Sequence, residues 1–257
     1  MTDIVKYTQD GAVATVTMNR PDAMNAFTTE LSLELQLALE RAADDKSVRV
    51  VILTGEGRSF SAGADLKSGF EGRPVSGKLQ YEYRPVLNAI ATMPKPVMAA
   101  VPGSAAGIGM STALTCDLVI MADNAFMLSP FTTISLVPDG GLNWILVRNL
   151  GYHRAYQLSI EAERIPAARC VELGLVNRTA PADELQHAAN EWAQSLARRA
   201  PLSLAATKKA MRFALDNDWA SSYNLEAELQ QVCRDSEDCV EGVDAFFEKR
   251  EPEFKGK

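Results

Sequence analysis

Lys95-Pro96-Val97-Met98-Ala99-Ala100-Val101-Pro102-Gly103-Ser104-Ala105-Ala106-Gly107-Ile108-Gly109-Met110 runs from an apolar stretch straight into a glycine-rich turn. Val97 to Val101 reads as a buried strand, and Gly107 to Thr115 as a short helix of small, closely packed residues. About forty residues earlier the same grammar occurs. There the apolar run Val48 to Thr54 is followed by Ser59-Phe60-Ser61-Ala62-Gly63-Ala64-Asp65-Leu66. Each glycine-rich segment can present backbone N–H groups at the end of a strand. Two such donors converging on one carbonyl oxygen form an oxyanion hole. The strand-then-turn grammar also sets the fold class, α/β, because strands alternate with helices up to about Thr179.

Outward from these segments the chain divides in two. Ala12 to Met18 reads as a strand, and Asn19-Arg20-Pro21-Asp22 as a turn. Leu31, Leu35, Ala38, Leu39 and Ala42 keep helical spacing, which predicts an amphipathic helix over Thr29 to Asp44. Ser68 to Pro85 lacks a period and reads as a loop running into a helix that ends near Met93-Pro94. Leu118 to Ala122 and Ala125 to Ser129 read as strands. Asp139-Gly140-Gly141 opens a helix that ends at Asn149-Leu150-Gly151, with glycine just past its end. After Pro181 only helices are expected, over Asp183 to Arg199, Leu202 to Asp216 and Tyr223 to Lys249. A boundary near 198–200 follows: residues 1–198 as the core and 199–257 as a helical appendage that packs on neighbours. No repeat is visible at the level of sequence.

Composition narrows the function classes. Of 257 residues 47% are apolar and 23% charged, the balance of an ordinary soluble globular protein. A net charge of −7 argues against a nucleic-acid partner. An anionic ligand remains open to backbone dipoles and a few lysines. The four cysteines show no CxxC spacing and read as reduced thiols of a cytoplasmic protein. Met1 to Asp10 has no signal-peptide pattern, and no run approaches the ~20 apolar residues of a membrane span.

Four segments resemble the crotonase superfamily, the enoyl-CoA hydratases and isomerases, in the family's order. They are Val16-Thr17-Met18-Asn19-Arg20-Pro21 with Asn25-Ala26; Phe60 to Leu66; Lys95 to Gly109 with Cys116-Asp117; and Glu241-Gly242-Val243-Asp244-Ala245-Phe246-Phe247-Glu248-Lys249-Arg250. The resemblance implies a spiral of ββα units with a C-terminal helical trimerisation region, assembled as a homotrimer or as a hexamer of two trimers. It implies an acyl-CoA substrate, with coenzyme A entering as part of that substrate, and no separate cofactor or metal. By position the oxyanion donors are the N–H groups of Ala64 and Ile108. The adenine end of coenzyme A falls near Ala62, Asp65 and Leu66, with Phe246 or Phe247 and Lys249 of the last helix contributing, often from a neighbouring subunit; Met24 is a further binding candidate. Gly107 and Ser111 are further binding candidates, and the acyl pocket is expected to be shaped by Ser68 to Pro85, Phe131, Trp144 and the helix after it.

Two positions depart from the family's hydratases, which carry two glutamates. Here those positions are Ser111 and Phe131. From Gly103 to Trp144 the carboxylates are Asp117, Asp123 and Asp139. Asp117 reads as structural and Asp123 as a turn residue. Asp139 lies in Leu136-Val137-Pro138-Asp139-Gly140-Gly141, which resembles the corresponding stretch of 1,2-epoxyphenylacetyl-CoA isomerases. In that resemblance Asp139 is the acid–base residue. It also fits a helix N-cap, and the two roles are compatible. Phe131, Ile134, Leu136 and Val137 are expected to surround it and raise its pKa. One carboxylate suffices for a 1,3-proton shift, whereas hydration needs a second group to activate water. The expectation is an acyl-CoA isomerase, acting on a double bond or on an aromatic-ring epoxide. A hydratase with atypical residues, hydrolytic dehalogenation and a non-catalytic coenzyme A binder stay open. A Ser-His-Asp triad is not expected, because His153 and His187 read as surface residues.

Overall fold

The computed structural model describes residues 3–68 and 74–257. Its strands are β1 (Val5–Asp10), β2 (Val13–Met18), β3 (Val50–Gly55), β4 (Ser59–Ser61), β5 (Val97–Val101), β6 (Ser104–Ala106), β7 (Leu118–Ala122), β8 (Phe126–Leu128), β9 (Ile165–Pro166) and β10 (Arg178–Ala180). Its helices are α1 (Thr29–Asp44), α2 (Val75–Lys78), α3 (Arg84–Thr92), α4 (Ile108–Thr115), α5 (Leu142–Leu150) and α6 (Tyr152–Glu161). The series continues with α7 (Ala167–Glu172), α8 (Leu185–Ala197), α9 (Pro201–Ala214), α10 (Trp219–Arg234) and α11 (Glu237–Glu248). A π-helical segment, Leu79–Tyr83, joins α2 to α3.

Successive units place one strand in each of two sheets and then a helix. The larger sheet has the order β1-β2-β3-β5-β7-β10 and the smaller β4-β6-β8-β9. Thus β3 and β4, then β5, β6 and α4, then β7, β8 and α5 repeat one pattern, the spiral of ββα units expected above. It is a repeat of topology that leaves no repeat in the residues. β3 is buried along its whole length because β2 and β5 flank it in parallel register and helices cover the sheet. A strand buried on both faces loses the polar alternation of a half-exposed one. α1 shows the opposite case. Leu31, Leu35, Leu39 and Ala42 are fully buried on one face. Thr28 caps the helix, its hydroxyl accepting from the Leu31 N–H at 3.1 Å.

Three expectations are corrected. The loop expected over Ser68 to Pro85 is helical from Val75 onward, and residues 69–73 of that stretch lie outside the described ones. The single helix expected over Tyr223 to Lys249 is two. Ser236 interrupts it, its Oγ accepting from the Cys239 N–H at 3.1 Å to start α11. α10 also begins earlier than expected, because Asp218 caps it through the Ser221 N–H at 2.8 Å. β1 has no counterpart in the sequence reading: its residues are mostly polar and exposed, as suits an edge strand paired on one side only.

Candidate active site

The two glycine-rich turns lie against each other. Gly63 has φ +100° and Gly107 has φ +55°, backbone states that side-chain-bearing residues rarely adopt. A Cβ on Gly63 would stand 3.0 Å from the Ala106 carbonyl oxygen, and one on Gly107 would stand 3.6 Å from the Gly63 Cα. The first turn is clamped from outside: the Phe27 N–H donates to the Gly63 carbonyl at 2.8 Å, and the Asp65 N–H to the Phe27 carbonyl at 2.9 Å. Those bonds leave the Ala64 N–H on the opposite side. Ile108 is the first residue of α4, where helical N–H groups have no partner within the helix. Among the described residues, neither the Ala64 nor the Ile108 N–H meets an acceptor.

Asp139 is fastened beside this pair. The Ser111 hydroxyl donates to the Asp139 carbonyl oxygen at 2.9 Å. Gly140 packs so closely on α4 that a Cβ there would meet Ile108 Cδ1 at 2.5 Å and Ser111 Cβ at 2.8 Å. The side chain of Asp139 is not the helix cap: Gly141 occupies that position in a left-handed conformation, with no side-chain bond. The capping alternative is therefore set aside. Asp139 Oδ1 is buried and has no hydrogen-bond partner among the described residues. Burial pushes the pKa of this carboxyl up to about 6.

Asp139 opens on a cavity of about 1300 Å³ bounded by the α2–α3 helix, α5 and α9. Trp144 lines it, with its indole N–H on Asp216 at 3.2 Å. Asp117, Asp139 and Asp216 are its carboxylates. Asp117 is bound by Lys208 at 2.6 Å and Arg212 at 2.8 Å, and accepts from the Val97 N–H, which is the structural part expected of it. Asp216 pairs with Arg148 at 2.9 Å. Of the four apolar residues expected around Asp139, only Val137 lines the cavity. Phe131 is buried against Gly107, 3.7 Å from its would-be Cβ, while Ile134 and Leu136 are exposed. The raised pKa thus has the expected direction but not the expected walls.

Met24, Ala62, Asp65 and Leu66 form a second group. The Ala62 N–H donates to the Met24 carbonyl at 2.9 Å, Arg20 pairs with Asp65 at 3.0 Å, and Leu66 is exposed. Phe247 is exposed on α11 and Lys249 ends that helix in a left-handed turn; neither lines the cavity. Both histidines are exposed. Among the described residues no cluster of metal-ligating side chains occurs, and no helix is long and apolar enough to cross a membrane.

Many residues of the cavity wall carry no expectation from the sequence, Tyr83 among them. Tyr83 is 3% exposed, lines the cavity with Asp139, and packs edge-on against Phe27 at 5.8 Å. Leu79 and Tyr83 continue the helical spacing of Val86 and Ile90 backward into the stretch expected as a loop.

Comparison with known proteins agrees with this architecture. The profile of a family described as enoyl-CoA hydratase/isomerase matches residues 8–257. A probable enoyl-CoA hydratase of Rhodobacter capsulatus is 40% identical, covering 98% of each chain. The 1,2-epoxyphenylacetyl-CoA isomerase of Escherichia coli is 34% identical, over 99% of this chain and 98% of its own. The crystal structure of an enoyl-CoA hydratase from Bacillus anthracis superposes with a TM-score of 0.95 at 31% identity, covering 99% of this chain and all of the other.

Proposed function

The chain belongs to the enoyl-CoA hydratase/isomerase family, and from that premise we propose that it is an acyl-CoA isomerase with Asp139 as its single acid–base. The observation that carries the reading is the carboxylate count. Among the described cavity-lining carboxylates, Asp117 and Asp216 are held by cations, and only Asp139 is unpaired. Ser111 and Phe131 stand where the family's hydratases carry glutamates. A hydratase needs one group to activate water and another to protonate the α-carbon. A double-bond shift needs one group that takes a proton and returns it.

In the proposed cycle the thioester oxygen of a 3-enoyl-CoA accepts from the Ala64 and Ile108 N–H groups. Asp139 takes a proton from C2, the electron pair spreads over the thioester and the C3–C4 double bond, and the acid form returns the proton to C4. The product is the conjugated 2-enoyl thioester, with composition unchanged. The same cradle and base serve an aromatic-ring epoxide, a reading favoured by the Pro138-Asp139-Gly140-Gly141 stretch. Coenzyme A runs from the donors toward Ala62, Asp65 and Leu66. Phe247 and Lys249 reach it from a neighbouring subunit of a trimer or a pair of trimers built on residues 199–257. Exposed Trp219 and Tyr223, stacked at 5.3 Å, and exposed Phe246 and Phe247 support that assembly.

The test is the ultraviolet band of the conjugated thioester. Growth of the band from 3-enoyl-CoA, abolished in Asp139→Asn, is the expected result. Loss of the band from 2-enoyl-CoA would mean hydration and sink the one-base reading. Silence with 3-enoyl-CoA, 2-enoyl-CoA and a ring epoxide alike would leave a binder.

A further inference from the structure

Tyr83 is a polar group of the cavity wall that holds Asp139, and the proposed cycle gives it nothing to do. Its ring rests on Phe27, the residue whose backbone clamps the turn that carries Ala64. Its cavity neighbours include Asp139. It thus touches the residue that clamps the Ala64 turn and shares a cavity wall with the proposed base. Among the described residues no hydrogen bond to the Tyr83 hydroxyl occurs, and that oxygen is not sealed from solvent as Asp139 Oδ1 is. It ends a π-helical turn, a rare arrangement that is frequent at functional sites.

We propose that the Tyr83 hydroxyl is a specificity-determining donor to an oxygen carried on the acyl group beside C4, so that the site prefers oxygen-bearing acyl thioesters to plain hydrocarbon ones. This deepens the isomerase reading and rests on it for the placement of the acyl group. Burial raises the phenol's pKa, and the charge of Asp139 raises it further, so the group is neutral at physiological pH and serves as a donor. A hydrocarbon chain entering the cavity strips water from the hydroxyl and leaves it unpaired. A ketone, epoxide or hydroxyl oxygen at that place satisfies it. A site whose donor is buried by the entering ligand discriminates against the analogue that lacks the acceptor.

The experiment is a thermodynamic cycle with non-reacting ligands. Hexanoyl-CoA, 4-oxohexanoyl-CoA and 5-oxohexanoyl-CoA are titrated calorimetrically into the full chain and into Tyr83→Phe, which keeps the ring and its packing on Phe27. At least one oxo ligand is expected to lose about tenfold in affinity in Tyr83→Phe, while hexanoyl-CoA binds the variant as well as or better than the native chain. Equal change across all three ligands, or none, overturns the proposal. So does a shifted acid limb of isomerase activity in Tyr83→Phe, which would make Tyr83 a positioning residue for Asp139. Because binding is read without turnover, activity retained in Asp139→Asn would defeat the isomerase reading separately.

Discussion

Asp139 combines three residue-scale properties that pull on one another: burial, no partner on Oδ1 and a place in the cavity wall. Its pKa stands near 6 instead of 3.8. As a base it must be ionised, so kcat/KM for 3-enoyl-CoA is expected to rise with pH through about 6 and then level. The same shift acts on stability with the opposite preference. Between pH 4 and 6 the folded chain holds a proton that the unfolded chain has lost. Folded stability therefore falls as pH rises across that window and stays lower above it. Asp139→Asn is expected to be more stable than the native chain by about 2 kcal/mol at pH 8, with no gain at pH 4. Thermal unfolding at the two pH values checks this. An equal gain at both would show that the carboxylate is not the cause. Asp139 was legible in the sequence by elimination, since Ser111 and Phe131 left few carboxylates. What surrounds it was not, because Tyr83 and α9 reach it from segments distant in the chain.

At the scale of elements, the strands that read most clearly are those buried on both faces. β5 and β7 lie where their apolar runs put them, and α1 where its spacing and cap put it. Two of the failures share one cause: the deciding interaction is a single polar side chain or a partner strand. Ser236 breaks the last helix by capping, and β1 exists because β2 offers an edge. α4 was legible as a helix, but how tightly it is seated was not. A Cβ on Gly109 would meet Ser61 Cβ and its carbonyl oxygen, both at 2.7 Å, so α4 sits directly on β4. Gly109→Ala is expected to cost about 1–3 kcal/mol by overpacking. It should also lower kcat more than KM rises, because α4 carries the proposed Ile108 donor. Urea unfolding and steady-state kinetics check both; an unperturbed kcat would detach α4's seating from the chemistry.

Over the whole molecule, Asp117 ties the sheet core to the C-terminal helices. Its carboxylate meets Lys208 and Arg212 of α9, and Lys208 also donates to the Ile90 and Lys95 carbonyls at 2.7 and 3.0 Å. The Lys208 side chain is 7% exposed. Asp117→Asn leaves that ammonium without its counter-charge, at an expected cost of about 3–5 kcal/mol. The urea midpoint, followed by tryptophan fluorescence, reads the loss. The Cys116-Asp117 pair was visible in the sequence; its partners, about 90 residues further on, were not. The turn at Leu79–Tyr83 has a consequence for inheritance. It holds one residue more than an α-helix would, and an α-helix rotates about 100° per residue. Deleting one codon there would restore a regular helix, yet could not keep both its start and Tyr83 facing as they do. A lineage of this chain could thus gain or lose that phenol by a change of length alone, with every other cavity side chain inherited intact.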